Sequence, residues 1–284
     1  MTASGTGPQS PPMRTIPPLG DCPRAAWLPL RGVLTDIDDT LTSDGAIAPA
    51  ALDALHRLQA AGVPVIAITG RPAGWSEPFA RAWPVRGIVA ENGGVLLHRE
   101  GETLSTEFAQ DDATRLANFE RLQACAREIV ATIPGATLAR DSAGRLTDIA
   151  IDHSEFTTLG DDAIAAVCDR MRAHGLAATV SSIHVNGWIG EHSKWTAASW
   201  AVKRLTGLDF DPAGWVYVGD STNDQLMFER MPLSVGVANI VRFLPMLAHL
   251  PAYVTATERG DGFAEVARAL LDARGLGAAS TAGS

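Results

Sequence analysis

The sequence predicts an α/β fold, in which a Rossmann-like parallel sheet forms the core and a second, α+β segment is inserted into it. Short apolar runs rich in Val and Ile alternate with segments of helical periodicity in both halves of the chain, and this alternation stops between about residues 111 and 189. A strand, a helix and a further strand in succession imply a right-handed crossover between parallel strands. The core is therefore expected to be discontinuous along the chain.

The core strands are predicted from five short apolar runs, whose Val and Ile content is typical of strands buried on both faces. They span residues 31–35, 63–68, 87–90, 215–218 and 233–238. Between the first two runs, apolar residues recur at helical spacing over residues 49–62, and Gly62 suits the C-terminal cap of that helix. Helical patterns at residues 193–207 and 261–275 complete the predicted core.

The inserted segment carries a different pattern, which reads helix, strand, strand, helix, strand and strand. Two such units predict an α+β cap. Both ends of the chain are rich in small or turn-forming residues, and such a composition buries too little apolar surface to fold. The predicted domains are therefore a disordered lead-in at 1–27, a core formed by 28–110 and 190–275, a cap at 111–189, and a disordered tail at 276–284.

The composition restricts the partners. With 23 Lys and Arg against 32 Asp and Glu, the formal net charge is −9, which opposes binding to nucleic acid or to an anionic membrane. No apolar run approaches the ~20 residues of a membrane span, and no signal-peptide pattern is present. The three cysteines are scattered, as is typical of a reducing compartment. We therefore predict a cytoplasmic protein without nucleic-acid or membrane partners, whose oligomeric state the composition does not indicate.

Asp36 and Asp38 follow the first predicted strand at positions two apart, so an extended backbone directs both side chains to one side. One ionised carboxylate of such a pair can attack phosphorus, while the other donates a proton to the leaving oxygen and later activates water. An acidic turn is the alternative. A calcium-binding loop is disfavoured, because Leu41 and Ile47 occupy the positions of its required Gly and Glu.

Thr69, Gly70 and Arg71 follow the second predicted strand. A hydroxyl and free backbone N–H groups near a helix start form a phosphate-binding arrangement there. Arg71 adds a guanidinium suited to phosphate or substrate oxygens. The alternatives are a helix cap formed by Thr69, which is compatible with phosphate binding, and a surface salt bridge formed by Arg71.

Asp220, Asn223 and Asp224 follow the fourth predicted strand, and Gly219 before them permits a close backbone approach. Two carboxylates and an amide form a hard-oxygen site suited to Mg²⁺. An Asx-type turn that caps the next helix is equally compatible with this sequence. Lys194 lies at the predicted start of a helix, where a single Lys is usually a solvated charge.

These four groups fall at strand ends or helix starts along one predicted edge of the sheet, where open α/β sheets bind ligands. In this order and at these positions they resemble the four motifs of the haloacid dehalogenase superfamily. The resemblance implies that Asp36 is the nucleophile and that Asp38 is the general acid and base. It also implies that Thr69, with Gly70 beside it, and Lys194 bind the phosphate.

The resemblance also implies a Mg²⁺ cofactor. In that superfamily the ion is held by the carboxylate of the nucleophile, the main-chain carbonyl of the acid and the first acidic residue of the fourth motif. These ligands correspond to Asp36, Asp38 and Asp220, with Asn223 and Asp224 in support.

The predicted cap and the sequence AENGG at residues 90–94 resemble the type IIB group, which includes the Cof-type, sucrose-phosphate, trehalose-phosphate and mannosyl-3-phosphoglycerate phosphatases. The resemblance implies a phosphatase acting on a small phosphorylated metabolite, with a sugar phosphate as the expected substrate and Arg71 as a substrate-binding residue. Two residues depart from the family pattern. Asp39 replaces the common Gly after the acid and adds negative charge, and Trp195 replaces the Gly that often follows the Lys, where we expect it to crowd the phosphate pocket.

Two other functions are compatible with the same fold. A phosphomutase, similar to the phosphomannomutases, forms the same aspartyl phosphate but needs a second cluster of cations in the cap, whereas the basic residues of the segment 111–189 are scattered among acids. A non-catalytic binding protein would be expected to have lost Asp36 or Asp38, and both are present.

Overall fold

The structure is a computed structural model that describes residues 15–277. These residues form strands that we number in chain order as β1 (Gly32–Thr35), β2 (Thr42–Ser43), β3 (Ala46–Ile47), β4 (Val65–Ile68), β5 (Gly87–Ala90), β6 (Val95–Glu100), β7 (Thr103–Phe108), β8 (Thr137–Leu138), β9 (Asp148–Asp152), β10 (Ala177–Val180), β11 (His184–Trp188), β12 (Trp215–Gly219), β13 (Leu233–Gly236) and β14 (Tyr253–Val254). The helices are α1 (Arg24–Trp27), α2 (Pro49–Ala60), α3 (Ala73–Ala82), α4 (Asp112–Thr132), α5 (Asp161–Ala173), α6 (Lys194–Thr206), α7 (Gln225–Arg230) and α8 (Arg259–Ala273).

The main sheet has eight strands in the order β14-β13-β12-β1-β4-β5-β6-β7. Its first six strands pair in parallel, and β6 and β7 extend it as an antiparallel hairpin. Helices α2 and α8 pack against each other on one face, and α6 covers part of the other. The predicted α/β class with a parallel core is therefore confirmed.

All five predicted core strands lie in this sheet. Their residues are buried on both faces, which is why their sequences are continuous apolar runs. The hairpin β6–β7 was not predicted. Strand β7 is the edge of the sheet and none of its residues is buried, so its sequence TLSTEF carries polar side chains and lacks the Val and Ile signature of the inner strands.

A second, four-stranded antiparallel sheet has the order β10-β11-β9-β8 and lies within the segment predicted as the cap. Helices α4 and α5 pack on one face of this sheet, where Ile149, Ile151 and Val185 join their apolar residues in one cluster. Neighbouring residues on the same strands point to the other face, because side chains alternate along a strand. That face carries Asn186, whose amide reaches the core at Gly70.

The predicted lead-in at residues 1–27 is wrong for its second half. The segment from residue 15 is ordered, with Leu19 and Trp27 only 8% and 2% exposed, and Val254 donates a main-chain hydrogen bond to Pro17 at 2.9 Å. The burial of these two apolar side chains in the core offsets the conformational entropy that the Pro-rich segment loses when it becomes ordered. Residues 1–14 and 278–284, also predicted to be disordered, lie outside the described residues.

Candidate active site

The end of strand β1 places Asp36 at the centre of the main sheet, where its main-chain N–H donates to the Val218 carbonyl at 2.8 Å. Lys194, the first residue of α6, reaches this point from the other side of the insertion. Its Nζ lies 2.7 Å from Asp36 Oδ1 and 2.6 Å from Asp224 Oδ1. Lys194 is 3% exposed, so it is a buried bridge between two carboxylates rather than the solvated charge that its isolated sequence position suggested.

Asp224 is fixed by three donors besides Lys194. Its Oδ2 accepts from the main-chain N–H groups of Asp220 at 2.8 Å and Ser221 at 3.0 Å, and its Oδ1 accepts from the buried hydroxyl of Tyr217. The bond to the Ser221 N–H belongs to a capping box at the start of the 3₁₀ turn Thr222–Asp224, in place of the Asx-type turn considered for this sequence, so the helix cap and the carboxylate cluster share Asp224. The sequence gives no sign of the contact with Tyr217, because this residue lies inside an apolar strand and outside the four motifs.

Three buried carboxylates meet at this edge of the sheet. Oxygens of Asp36, Asp220 and Asp224 lie within 4.8 Å of one another. Asp220 Oδ1 is buried and has no hydrogen-bond partner within the described residues. A buried carboxylate oxygen without a donor is costly in a folded protein, and hard divalent cations such as Mg²⁺ take oxygen ligands of this kind. The donor set therefore fits Mg²⁺. The Asn223 amide oxygen, by contrast, already accepts from Ser221 Oγ at 2.9 Å and Lys194 Nζ at 3.3 Å.

The electrostatics of the cluster follow from its burial. Burial raises the pKa of Asp36 to about 7, with Lys194 acting in the opposite direction and Asp224 and Asp38 adding to the rise. Burial and the neighbouring carboxylates also raise the pKa of Asp220 well above its ordinary value. Burial disfavours the charged form of Lys194, yet Asp224 and Asp36 raise its pKa. The cluster therefore has more buried negative charge than its single lysine neutralises, as expected of a cation-binding site.

The second oxygen of Asp220 is held by two residues from the turn that follows β13. Asp220 Oδ2 accepts from Asn239 Nδ2 at 3.1 Å and lies 3.2 Å from Arg242 Nη2. Asn239 also donates to the main-chain carbonyl of Asp39 at 3.0 Å. Sequence reasoning missed Asn239 and Arg242, because they lie in a short 3₁₀ segment, Ala238–Met246, that carries no motif.

Asp39 has a φ of 53°, in the left-handed region that Gly adopts freely and Asp tolerates. This conformation accounts for the preference for Gly at that position. Its added negative charge is compensated by Arg242, 2.7 Å from Oδ2, and Arg259, 3.1 Å from Oδ1.

Trp195, the second residue that departs from the family pattern, does not crowd the phosphate pocket as we expected. Trp195 packs on Phe210 at 5.3 Å between ring centroids and against the apolar cluster around α6 and β12, away from the carboxylates, so it does not crowd the pocket.

Arg71 connects the core to the inserted segment. Its Nε lies 2.9 Å from Asp38 Oδ1, and its other two nitrogens lie 3.2 Å from Asp141 and 2.8 Å from Glu155. Arg71 is 5% exposed, so the alternative of a surface salt bridge is wrong. Thr69 Oγ1 accepts from the Arg71 N–H at 3.0 Å and lies 3.3 Å from Asp38 Oδ2.

Glu155 is part of the same network. Its second oxygen is 2.9 Å from His184 Nε2. Although burial acts in the opposite direction, His184 and Arg71 lower the pKa of Glu155 to about 2. Arg71 thus pairs with Asp38 and with Glu155 at once, and it fixes the position of the Asp38 carboxylate against the inserted segment. Asp141 and Glu155 gave no sequence signal, because only the docking of the two sheets brings them to Arg71.

Further hydrogen bonds join the core to the inserted segment near the carboxylate cluster. The Gly70 carbonyl accepts from Arg145 Nη1 at 3.0 Å and Asn186 Nδ2 at 3.3 Å. The buried carboxylate of Glu91, in the sequence AENGG, accepts from the main-chain N–H groups of Leu146 and Thr147. Gly70 thus lies at an interface between the core and the inserted segment.

A cleft of about 400 Å³ opens beside Asp38. Its core wall carries Arg71, Arg242 and Arg259. The inserted segment contributes the residues Ser154, Glu155, Phe156, Ser182 and Ile183. Within the described chain, therefore, every cation that lines the cleft comes from the core and none from the inserted segment.

Comparison with known proteins agrees with this geometry. A family model described as haloacid dehalogenase-like hydrolase matches residues 33–132. A phosphoglycolate phosphatase of Methanothermobacter thermautotrophicus is 26% identical over 248 residues, which cover 85% of this chain and 99% of the relative. A phosphoglycolate phosphatase of Methanococcoides burtonii is 27% identical over 216 residues, covering 74% and 84%.

Solved structures share the fold. Protein 0175 of Thermoplasma acidophilum matches with a TM-score of 0.67 and 16% identity, covering 85% of this chain and 98% of that one. The sucrose-phosphatase of Synechocystis matches with a TM-score of 0.62 and 16% identity, covering 85% and 98%. Residues 33–132 are therefore similar in sequence to haloacid dehalogenase-like hydrolases, and the described chain shares its fold with these solved structures. These matches bear out the predicted resemblance to the haloacid dehalogenase superfamily and the prediction of a phosphatase.

No helix within residues 15–277 has the length and apolar character needed to cross a membrane.

Proposed function

We propose that the chain is a Mg²⁺-dependent phosphatase that removes the phosphoryl group of a small phosphorylated metabolite through an aspartyl phosphate on Asp36. One observation carries this proposal. The bridge from Lys194 to Asp36 and Asp224 lies beside Asp220 Oδ1, which is buried and unpartnered. A nucleophile, a cation and an open cation ligand therefore meet at one strand end.

In the first step the ionised Asp36 carboxylate attacks phosphorus. The bond between phosphorus and the ester oxygen breaks, and Asp38 donates a proton to the departing alkoxide. Lys194 neutralises charge on the Asp36 side of the transition state, and the Thr69 hydroxyl and the Gly70 N–H are the proposed ligands of the phosphoryl oxygens. The products of this step are the free alcohol and the phosphorylated Asp36.

In the second step water attacks the phosphorus of the aspartyl phosphate. Asp38, now ionised, accepts a proton from the water, and the bond between phosphorus and Asp36 breaks to release inorganic phosphate. The contact with Arg71 at 2.9 Å holds the Asp38 carboxylate in place. Asp38 then carries the proton that it needs for the next cycle.

The proposed Mg²⁺ ligands are the carboxylates of Asp36 and Asp220 and the main-chain carbonyl of Asp38, with Asn223 and Asp224 in support. The ion supplies positive charge that offsets the repulsion between the Asp36 carboxylate and an anionic phosphate. Asn239 and Arg242 hold the other oxygen of Asp220, which leaves Oδ1 free for the ion.

The expected substrate is a sugar phosphate, as for the sucrose-phosphatase and trehalose-6-phosphate phosphatases among the structural neighbours. A second candidate is phosphoglycolate, the substrate named for the sequence relatives. It is favoured by Arg242 and Arg259, which line the cleft and share the Asp39 carboxylate, because a substrate carboxylate adds a second anion for such cations.

The rival functions fit less well. A phosphomutase has to bind a bisphosphate, and the residues that the inserted segment adds to the cleft wall include Glu155 but no cation. Arg145 of that segment is paired with Asp148 at 2.8 Å. A non-catalytic binding protein has no need of a buried Lys194 between two carboxylates, because the desolvation of these charged groups costs free energy.

The substrate test is a panel of trehalose 6-phosphate, sucrose 6-phosphate, glucose 6-phosphate and 2-phosphoglycolate, with released phosphate measured in Mg²⁺ and after exhaustive chelation. We expect release that depends on Mg²⁺. Higher kcat/KM for the sugar phosphates supports the first candidate, and higher kcat/KM for 2-phosphoglycolate supports the second. Full activity in chelator would contradict the metal requirement, and transfer of phosphate between sugar positions without net release would identify a mutase.

A further inference from the structure

The peptide group between Gly70 and Arg71 is held from outside the core. Its carbonyl accepts hydrogen bonds from Arg145 Nη1 at 3.0 Å and from Asn186 Nδ2 at 3.3 Å. Both of the donors that this carbonyl has among residues 15–277 thus belong to the inserted segment. The orientation of the peptide therefore depends on the docking of that segment on the core.

The carbonyls on either side are held by the core itself. The main-chain N–H of Asn92 donates to the Thr69 carbonyl, and that of Glu91 donates to the Arg71 carbonyl, each at 2.9 Å. These two peptide groups keep their hydrogen bonds without the inserted segment. Docking of the segment therefore acts on this loop at the carbonyl of Gly70.

The N–H of the same peptide sets the direction of the Thr69 hydroxyl. It donates to Thr69 Oγ1 at 3.0 Å, so this oxygen is an acceptor there and its own proton points elsewhere. Thr69 Oγ1 lies 3.3 Å from Asp38 Oδ2. Because Gly70 has no side chain that restricts its backbone, the peptide is free to rotate, and to release the hydroxyl, when its carbonyl loses its donors.

We propose that Asn186 and Arg145 are positioning residues, which hold the Gly70–Arg71 peptide so that the Thr69 hydroxyl is directed at the phosphoryl oxygens. This role rests on the proposed function, in which Thr69 and Gly70 bind those oxygens. Neither Asn186 nor Arg145 lines the catalytic cleft, so both act through Gly70 and not on the leaving group. A phosphate-binding loop that is already oriented loses less entropy when the substrate binds.

The surroundings of the two side chains agree with this role. Arg145 is 5% exposed and pairs with Asp148 at 2.8 Å and with Asp141 at 3.2 Å, so its charge is already balanced without a phosphate. Asn186 is 1% exposed, and its Oδ1 has no hydrogen-bond partner within the described residues. A buried amide with one unpaired end costs stability that an apolar side chain would not, which indicates a role other than packing.

The test compares Asn186→Ala with Asn118→Ala. Asn118 is the matched control, because it is a buried amide of the inserted segment that donates to Gln110 at 3.1 Å, outside the catalytic site. The probe is inorganic phosphate, titrated by calorimetry into the full chain in excess Mg²⁺. We expect Asn186→Ala to weaken phosphate binding about three- to tenfold, the range for one lost hydrogen bond, and Asn118→Ala to bind phosphate as the parent does.

Turnover supplies a readout that a purely structural role would not move. Because the phosphoryl group is common to all phosphomonoesters, Asn186→Ala is expected to lower kcat/KM by the same factor for p-nitrophenyl phosphate and for glucose 6-phosphate. A loss confined to glucose 6-phosphate would place Asn186 at the leaving group and overturn the proposal. Asn186→Val, which suits a strand and also lacks the donor, serves if Asn186→Ala does not fold.

Three results separate this inference from its alternatives. Unchanged phosphate affinity and kcat/KM in the Asn186 variants of an active parent would overturn the positioning role alone. A lower urea midpoint with unchanged phosphate affinity would assign Asn186 a structural role and also overturn it. A parent that neither binds phosphate nor releases it from any ester in Mg²⁺ would overturn the proposed function, and the positioning role with it.

Discussion

Lys194→Met is the substitution whose effect the structure defines best. Met keeps the length and apolar stem of Lys but removes the ammonium, which lies 2.7 Å from Asp36 and 2.6 Å from Asp224. Because side chains at this site are 5% exposed or less, the two carboxylates lose their cation in a poorly solvated place. Removing one member of a buried ion pair costs about 3–5 kcal/mol. We expect a loss of that size in the free energy of unfolding, measured in chelator.

The chain offers a matched control. Lys203 pairs with Asp209 at 2.8 Å, but its side chain is 60% exposed, so Lys203→Met is expected to cost less than about 1 kcal/mol. Both variants are compared with the parent by urea unfolding at pH 7.5. Adding Asp224→Asn to Lys194→Met is expected to restore part of the loss, because it removes one of the stranded charges. Equal losses for Lys194→Met and Lys203→Met would refute the buried bridge.

Three further outcomes are expected. Asn239→Ala is expected to weaken Mg²⁺ binding about 10- to 100-fold by calorimetry, because Asn239 orients Asp220, and an unchanged affinity would argue against that role. Because the unfolded chain protonates His192 near pH 6.5 and the folded chain only near 4, the free energy of unfolding is expected to fall, by up to about 3 kcal/mol, as the pH drops through that window, and His192→Gln is expected to lack this part of the decrease. Asp38→Asn is expected to accept phosphate from an activated aryl phosphate but to release it slowly, whereas equally slow phosphorylation would assign Asp38 a different function.

Much of the fold was predictable because burial on both faces leaves a strong signature. The core strands are short runs of Val and Ile, and the helix at 193–207 and the two helix–strand–strand units of the cap appear in the structure close to their predicted bounds. The two elements that the hydrophobic pattern did not predict have polar or Pro-rich sequences. Strand β7 is an exposed edge, and the segment from residue 15 is Pro-rich and is held by contacts distant in sequence, which include the buried side chains of Leu19 and Trp27.

The site was predictable where its residues lie at strand ends and not where they depend on tertiary docking. The meeting of Asp36, Lys194 and Asp224 follows from the parallel order of the sheet and from the return of the chain after the insertion. Asp141 and Glu155, two of the acidic partners of Arg71, could not be inferred, since they lie 70 and 84 positions away in loops of the inserted segment. Neither could Asn239, which reaches Asp220 from a turn without periodicity.

The central claim is that Asp36 becomes phosphorylated during turnover, and trapping tests it most directly. The enzyme is quenched in acid during steady-state turnover of a labelled phosphomonoester, because an acyl phosphate is stable in acid and labile in base. We predict a base-labile phosphoryl group that maps to Asp36, and an Asp36→Asn protein that folds as the parent does but neither traps phosphate nor turns over. Hydrolysis by Asp36→Asn at a near-normal rate, or a phosphoryl group on another residue, would contradict the account.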